Sequence, residues 1–267
     1  MKRRLALAAA AALAFAAGSP AHAETAADLV AKNLAARGGE KALAGIKNLR
    51  LTGEIRFPGD FRLAFSETKA RGSDGGCAVR VEATLQGLTL IQAYDGKVGW
   101  RVNPFQGRKD AEKMGGDEAR ALADECQIDG VLLAAQSGGG KVDYLGREDV
   151  DGTDAYKLRI SQPDGDEFTY YLDPDTYLEI KSLERRTVRG SEQETEYEIG
   201  DYDKVAGVYF PFSIAQGPKN ARDKQITTID KGEANIAIPG DLFAFPQSPP
   251  AAGGASTGQQ TPKTRGQ

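Results

Sequence analysis

The sequence predicts a mainly β protein with some helix: one domain, a curled antiparallel sheet of about ten or eleven strands with a helical cover and a cavity beneath it. Three observations predict this. Between Asn48 and Lys231, apolar and polar residues alternate with period two in run after run, the pattern of strands with one buried and one wetted face. Asp95-Gly96, Asp164-Gly165 and Gly190-Ser191 separate such runs, and turn pairs of this kind make neighbouring strands antiparallel. From Gln106 to Gln136 the alternation gives way to Ala-, Glu-, Asp-, Arg- and Lys-rich sequence with helical spacing, and strands resume near Val142. A sheet this wide tends to curl. Past about eight strands its own side chains no longer fill the interior, so helices or a ligand must.

The elements follow in order. Lys2-Arg3-Arg4, the apolar stretch from Leu5 to Ala17, and Ala21-His22-Ala23 form the three parts of a cleavable secretory signal. The apolar run is short for a bilayer, and no cysteine stands after Ala23 to carry a lipid anchor. Residues 1–23 are therefore expected to be removed, leaving a soluble periplasmic chain whose folded domain covers 24–247. Thr25 to Arg37 reads as a helix with Leu29, Val30 and Leu34 on one side, stopped by Gly38-Gly39; Glu40 to Ala44 adds a short turn. Asn48 to Phe57 sets Leu49, Leu51, Ile55 and Phe57 against Arg50, Thr52, Glu54 and Arg56. Pro58-Gly59-Asp60 turns the chain, and Phe61, Leu63 and Phe65 follow. Val79, Val81, Ala83 and Leu85 alternate in the next strand. Leu88 to Tyr94 and the strand with Trp100, the only tryptophan, flank Asp95-Gly96 as a type I′ hairpin. Asn103-Pro104 ends that strand, just before Phe105. Asp117 is the expected N-cap of a helix with Ala119, Leu122 and Cys126 in one stripe, and Val131-Leu132-Leu133 continue the cover. Ser137 to Gly140 lead back into a meander. Its strands carry Tyr156, Leu158 and Ile160; Phe168, Tyr170 and Leu172; the charged runs Leu178–Val188 and Glu192–Tyr202; Val208, Phe210, Phe212 and Ile214; and Gln225–Lys231. Residues 248–267, rich in Pro, Gly, Gln, Ser and Thr, cannot bury a core and are expected to be a disordered tail.

Charge and rare residues exclude function classes. The whole chain carries 34 basic and 38 acidic residues. Without the signal it has 31 against 38, a net of −7. An acidic chain with no basic stripe is not built for nucleic acid or for attraction to anionic lipid. The only histidine is His22, within the signal. The processed chain would thus have no histidine base, triad or metal ligand. Cys77 and Cys126 are the only cysteines. In an oxidising compartment such a pair suits a disulfide tying a strand to the helical excursion, contributing roughly 4 kcal/mol in the chain-entropy model; two buried thiols are the alternative. Two cysteines without histidine make no zinc site.

Several motifs fail on inspection. Asp149-Val150-Asp151-Gly152-Thr153-Asp154 has the start of a calcium loop, but its twelfth position is Ile160; a hairpin turn is simpler. Gly138-Gly139-Gly140-Lys141 lacks the leading glycine and the trailing Ser/Thr of a phosphate loop, since Ala135 and Val142 stand there. Asp173 and Asp175 could form a glycosidase pair, yet they sit in a Pro-containing turn. Glu192, Glu194, Glu196 and Glu198 make a solvated strand face that discourages edge aggregation. No serine stands in a Gly-x-Ser-x-Gly elbow. No residue declares itself catalytic, and neither an enzyme, a cofactor nor a metal is expected.

The apolar faces remain. Leu51, Ile55, Phe57, Phe61, Leu63, Phe65, Val81, Leu85, Trp100, Phe105, Leu122, Phe168, Tyr170, Phe210 and Phe212 would converge inside a curled sheet. Ordinary core packing is the simpler account of each residue alone. Together they would make a cavity for acyl chains, each buried methylene being worth about 0.8 kcal/mol.

Four segments resemble the bacterial outer-membrane lipoprotein-sorting protein family, whose fold includes the periplasmic lipoprotein carriers and their outer-membrane acceptor. They are Tyr94-Asp95-Gly96-Lys97-Val98-Gly99-Trp100-Arg101-Val102-Asn103-Pro104-Phe105, Tyr144-Leu145-Gly146-Arg147-Glu148-Asp149-Val150-Asp151-Gly152, Tyr171-Leu172-Asp173-Pro174-Asp175-Thr176-Tyr177 and Val205-Ala206-Gly207-Val208-Tyr209-Phe210-Pro211-Phe212. The likeness runs from about Leu49 to Ile229. It implies an unclosed antiparallel β-barrel with helices lidding an apolar cavity that binds lipid or lipoprotein acyl chains, without catalytic residues. It also implies a monomeric carrier that meets an inner-membrane extractor or an outer-membrane acceptor protein. In dedicated carriers an arginine bonds the lid shut, a role that no matched motif assigns to Arg80 or Arg101. The rival expectation is a regulatory module of the same fold that senses lipid and acts through a protein partner.

Overall fold

The computed structural model describes residues 24–246 apart from Asp74; the expected signal, 1–23, and tail, 248–267, lie outside the described residues. Thr25 caps α1 (Ala26–Arg37). Its hydroxyl accepts from the Asp28 N–H, and the Asp28 carboxylate accepts from the Thr25 N–H, so two otherwise orphaned donors are satisfied at once. Gly38 ends the helix at φ +125°, where a Cβ would also meet the Gly207 carbonyl at 2.5 Å. After α2 (Glu40–Gly45), six strands form an antiparallel meander: β1 (Asn48–Phe57), β2 (Phe61–Arg71), β3 (Cys77–Leu85), β4 (Leu88–Tyr94), β5 (Gly99–Val102) and β6 (Glu112–Lys113). Two helices follow, α3 (Gly116–Glu125) and α4 (Val131–Gly138). Seven strands complete the chain: β7 (Lys141–Val150), β8 (Thr153–Ser161), β9 (Glu167–Leu172), β10 (Glu179–Val188), β11 (Ser191–Val205), β12 (Val208–Pro218) and β13 (Gln225–Ala234).

These strands make a single 13-stranded sheet in the order β6-β5-β4-β3-β2-β1-β13-β12-β11-β10-β9-β8-β7. The first and last strands meet in its middle, Leu49 opposite Ala234 and Arg56 opposite Ile226. The seam needs a glycine: at Gly53, beside the β-bulge, a Cβ would lie 1.9 Å from the Thr228 carbonyl oxygen. The two margins, β6 and β7, are consecutive strands and do not pair with each other, so the barrel stays unclosed. The segment between them must cross from one margin to the other. That crossing puts α3 and α4 over one face of the sheet.

Helices bury that face at three places. Leu29 and Val30 of α1, with Val131, Leu132 and Ala135 of α4, pack on Tyr156, Leu158, Ile160, Phe168 and Leu172. Leu43 and Ile46 at α2, with Ile128, pack on Leu49, Leu51, Val205, Val208, Phe210 and Ile229. Leu122 and Cys126 of α3 pack on Cys77 and Val79. The Cys77–Cys126 disulfide is present, with Cα atoms 5.5 Å apart. Among the described residues no helix is long and apolar enough to cross a membrane.

Four local expectations need correction. The sheet has thirteen strands rather than ten or eleven, and the two residues of β6 are too few to show a period. The Asp95-Gly96 turn is not type I′. Tyr94 pairs with Gly99, only Gly96 of the turn has positive φ, and the Asp95 carboxylate accepts from the Lys97 and Val98 N–H groups. This is a four-residue connection closed by an Asx turn. Asp117 is not the N-cap of α3. Gly115 holds that position, and Asp117 instead pairs with Arg120 at 3.1 Å. Trp100 does not face the helices. It pairs with Ala93 on the opposite face, stacks with Arg80, and donates from Nε1 to the Phe243 carbonyl at 2.8 Å. The segment after β13 forms a strap across the outside of β3–β5, where Arg80 also donates to the Leu242 carbonyl and Phe245 meets the Trp100 ring edge-on.

Candidate functional site

Strand register decides which side chains share the helix-bearing face. On β2 these are Leu63, Phe65, Glu67, Lys69 and Arg71: Leu63 lies opposite Ile55, and Glu67 lies between Leu51 and Val81. Two residues of this row are apolar and three are charged. Around Leu63, the cluster Ile55, Leu63 and Ala83, flanked by Phe57, Phe65, Leu85 and Leu90, contains strand residues only. No described helix residue packs in it. An apolar wall therefore lines the end of the sheet farthest from the α2 cover. Close to that end, β11–β13 border an open pocket of about 450 Å³ lined by Gln193, Thr195, Gln216 and Gln225 among others.

The expected acyl-binding residues fall into groups. Ile55, Phe57, Leu63, Phe65 and Leu85 come together in the wall; Phe65 also touches the neighbouring core under α2. Leu51, Phe210 and Phe212 belong to that core. Val81 and Leu122 belong to the packing between α3 and β3. Phe168 and Tyr170 lie with the core under α1 and α4. Phe105 is exposed in the 3₁₀ turn Pro104–Gln106. Trp100 lies on the other face, as described above.

Between wall and helices the lining is polar, which the apolar bias of the sequence reading missed. Period two, continued past Phe65, already puts Glu67, Lys69 and Arg71 inward. Lys69 pairs with Glu67 at 3.1 Å and Arg71 with Asp129 at 2.5 Å. Across the cavity, Arg186 on β10 pairs with Asp166 at 2.6 Å, with Glu184 and, on α3, with Asp124 at 2.8 Å. Glu118 of α3 binds Arg101 of β5 and Arg189 of the β10–β11 turn. Gly99 of β5 lets the helix seat closely, since a Cβ there would come within 2.8 Å of the Ala119 methyl. Thus α3 is held to β3 by the disulfide and to β10 by Arg186, bridging the two halves of the sheet.

The groups beneath the bridge are desolvated. The Glu125 side chain remains accessible to water, yet its carboxyl is pushed up to about 8, chiefly by burial among protein atoms and then by the Glu67 carboxylate to which it is hydrogen-bonded. Burial also raises Glu179 and, against the pull of Arg186, Asp124. The Tyr170, Tyr197 and Tyr202 hydroxyls are raised by burial and then by Glu179, Glu125 and Glu179 respectively. Among the described residues no group of three His, Cys, Asp or Glu has the arrangement of a metal site.

Comparison with solved structures finds the same architecture elsewhere. A DUF1329 family protein from Desulfovibrio piger superposes with a TM-score of 0.58 at 11% identity, over 82% of this chain and 95% of that one. A domain ascribed to outer-membrane lipoprotein sorting, from Vibrio parahaemolyticus, gives 0.54 at 12%, over 80% and 97%. A LolA-superfamily protein from Nitrosomonas europaea gives 0.53 at 13%, over 83% and 98%. The chain shares the fold of these three proteins. No family model matches the chain, and no curated protein does. At these identities the likeness shows the fold alone, and the site must be argued from the chain's own residues.

Proposed function

We propose that the chain is a soluble periplasmic carrier that holds the acyl part of a lipid or lipoprotein against the uncovered wall of the sheet, and that it is not an enzyme. The observation that carries this is the wall itself. Ile55, Phe57, Leu63, Phe65, Leu85 and Leu90 form an apolar face that no described helix covers, at the mouth of an interior that α3 bridges. Ile55 and Leu63 are already buried, so an acyl chain would replace water over the part-exposed Phe57, Phe65, Leu85 and Leu90, at about 25 cal/mol per Å² of apolar surface. The signal-like N-terminus supports the address, and the bridge supplies a gate: α3 hinges at Cys126 and is released when the Arg186–Asp124 and Glu118 pairs break. Transfer to or from an extractor or acceptor in the membranes is the transport step this arrangement serves.

The test is native mass spectrometry of the processed chain purified gently from the periplasm, followed by lipid extraction. A stoichiometric lipid or acylated-peptide adduct is expected. Phe65→Asp should abolish it while the protein stays folded, because Phe65 is only partly buried. Phe210→Asp is no substitute, since Phe210 lies in the packed core with Arg37 over its ring. A clean mass after lipids and lipopeptides are offered, or undiminished lipid in Phe65→Asp, would overturn the assignment.

A further inference from the structure

We propose that the open pocket on β11–β13 is the head-group subsite of the carrier: it takes an uncharged head rich in hydroxyl or amide groups, while the acyl chain lies on the wall beside it. The inference rests on the carrier reading and names the head group that the reading leaves open.

Register joins the pocket to the wall. Gln193 lies opposite Arg186, which reaches Asp124 of α3, so Gln193, Thr195 and Tyr197 of β11 share the helix-bearing face. Thr195 lies opposite Pro218 and Tyr197 opposite Gln216 on β12, and Gln216 lies opposite Gln225 on β13. Two residues along β13 from Gln225, Thr227 lies opposite Ile55 of the wall on one side and Ile214 on the other. Since β13 is the neighbour of β1, the polar lining begins one strand away from the apolar one. The pocket, about 450 Å³, has the size of a small-molecule site. One amphiphile can therefore rest its tail on β1–β4 and its head on β11–β13.

Hydrogen-bond direction decides what the head must be. The Glu184 carboxylate, held by Arg186, only accepts. Tyr197 therefore donates to it, at 3.0 Å, and accepts from Gln216 Nε2 at 3.4 Å. Gln216 Oε1 is thereby turned towards Gln225, whose Nε2 donates to it at 3.2 Å. Followed outward from the carboxylate, this chain orients both carboxamides and leaves Gln225 Oε1 at its end, an acceptor beside a second N–H donor. Gln193 and Thr195 also line the pocket, and their carboxamide and hydroxyl have no hydrogen-bond partner among the described residues. Hydroxyl and amide heads both donate and accept, as this lining does. Glu194 is the charged residue of the lining, and Lys219 already neutralises it at 3.0 Å; nearby Lys224 is held by Glu196 and Glu198. A phosphate or sulfate head would find no free cation in the lining, and an ammonium no free carboxylate. Taking a charge out of water on those terms is costly.

The test uses the processed full chain and four probes with a twelve-carbon tail, titrated calorimetrically below their micelle concentrations at pH 7. Dodecyl maltoside carries hydroxyls, N-dodecanoylglycinamide carries amides, and dodecyl sulfate and dodecyltrimethylammonium carry the two charges. At least one neutral probe should bind about tenfold more tightly than either charged one, the worth of about one net hydrogen bond; which neutral probe leads tells a glycosyl head from a peptide one. This ranking in the unmodified chain needs no variant to fold. In Gln216→Leu/Gln225→Leu, which keeps the bulk and removes both amides, the neutral advantage should fall to about twofold or less, with the charged probes unaffected. Charged probes that bind as tightly as both neutral ones, or an advantage that survives the double substitution, would overturn the head-group subsite and leave the carrier standing. Binding of none of the four would overturn the carrier and this inference with it.

Discussion

Two residues show how a side chain's neighbours, rather than its type, decide its part. Trp100 has the size and apolarity of a cavity liner, yet it anchors the strap on the outer face through its indole N–H. Trp100→Phe keeps the bulk and loses one buried hydrogen bond, so urea unfolding should report a loss of about 1 kcal/mol, with lipid binding unchanged. A loss of lipid binding at full stability would mean that the ring reaches the cavity after all. Glu125 carries the pH dependence. Its carboxyl is held protonated in the fold, up to about 8, but titrates near 4.5 in the unfolded chain. The stability that this group contributes is therefore full below pH 4.5 and fades as pH rises through 8. Thermal melts from pH 5 to 9 should fall more steeply for the native chain than for Glu125→Gln; parallel curves would dismiss the shift. Both residues were partly hidden from the sequence. In the strand with Trp100, the apolar Trp100 and Val102 share the face away from the helices while Arg101 faces them, so alternation pointed to the wrong side. The Glu67 carboxylate that helps to raise Glu125 stands on β2, far away in the chain.

At the scale of elements, strands were far more legible than their joints. Alternation located β1–β3, β8, β9 and β12 because a half-buried strand prints its period directly on the sequence, while turn residues and charged runs marked β10 and β11. The excursion was legible as helix, and its disulfide to β3 followed from the cysteine count. Its cap was not: α3 starts at a glycine, and the more attractive Asp117 is spent on Arg120 and on the Arg189 N–H. The polar row Glu67-Lys69-Arg71 was available from the same period and was overlooked for being charged. The bridge makes its own prediction. Cys77→Ser/Cys126→Ser should cost up to about 4 kcal/mol, the cross-link spanning 49 residues. Amide exchange should quicken first in α3, while β8 and β9 stay protected. Uniform loss of protection would show that α3 is not a separable gate. Arg186 should be less forgiving. Its loss leaves Asp166, which is only 2% exposed, with just the longer Arg120 contact at 3.6 Å, so Arg186→Ala should destabilise by roughly 3 kcal/mol.

On the scale of the whole molecule, the margins of the sheet come from mid-chain and its middle from the two ends of the folded part. Leu49 and Ala234 are neighbours at the seam, and nothing in a local pattern announces such a pairing. The seam also orders events in time. A chain made from its N-terminus delivers β1 to β12 before β13, so two half-sheets wait with one raw margin apiece until the final ten-residue strand arrives. Long-range strand pairing of this kind is slow and leaves sticky intermediates exposed. Synthesis of this protein thus has a vulnerable interval whose length is set by the arrival of its last strand, during which two half-sheets stand open until they are stitched together.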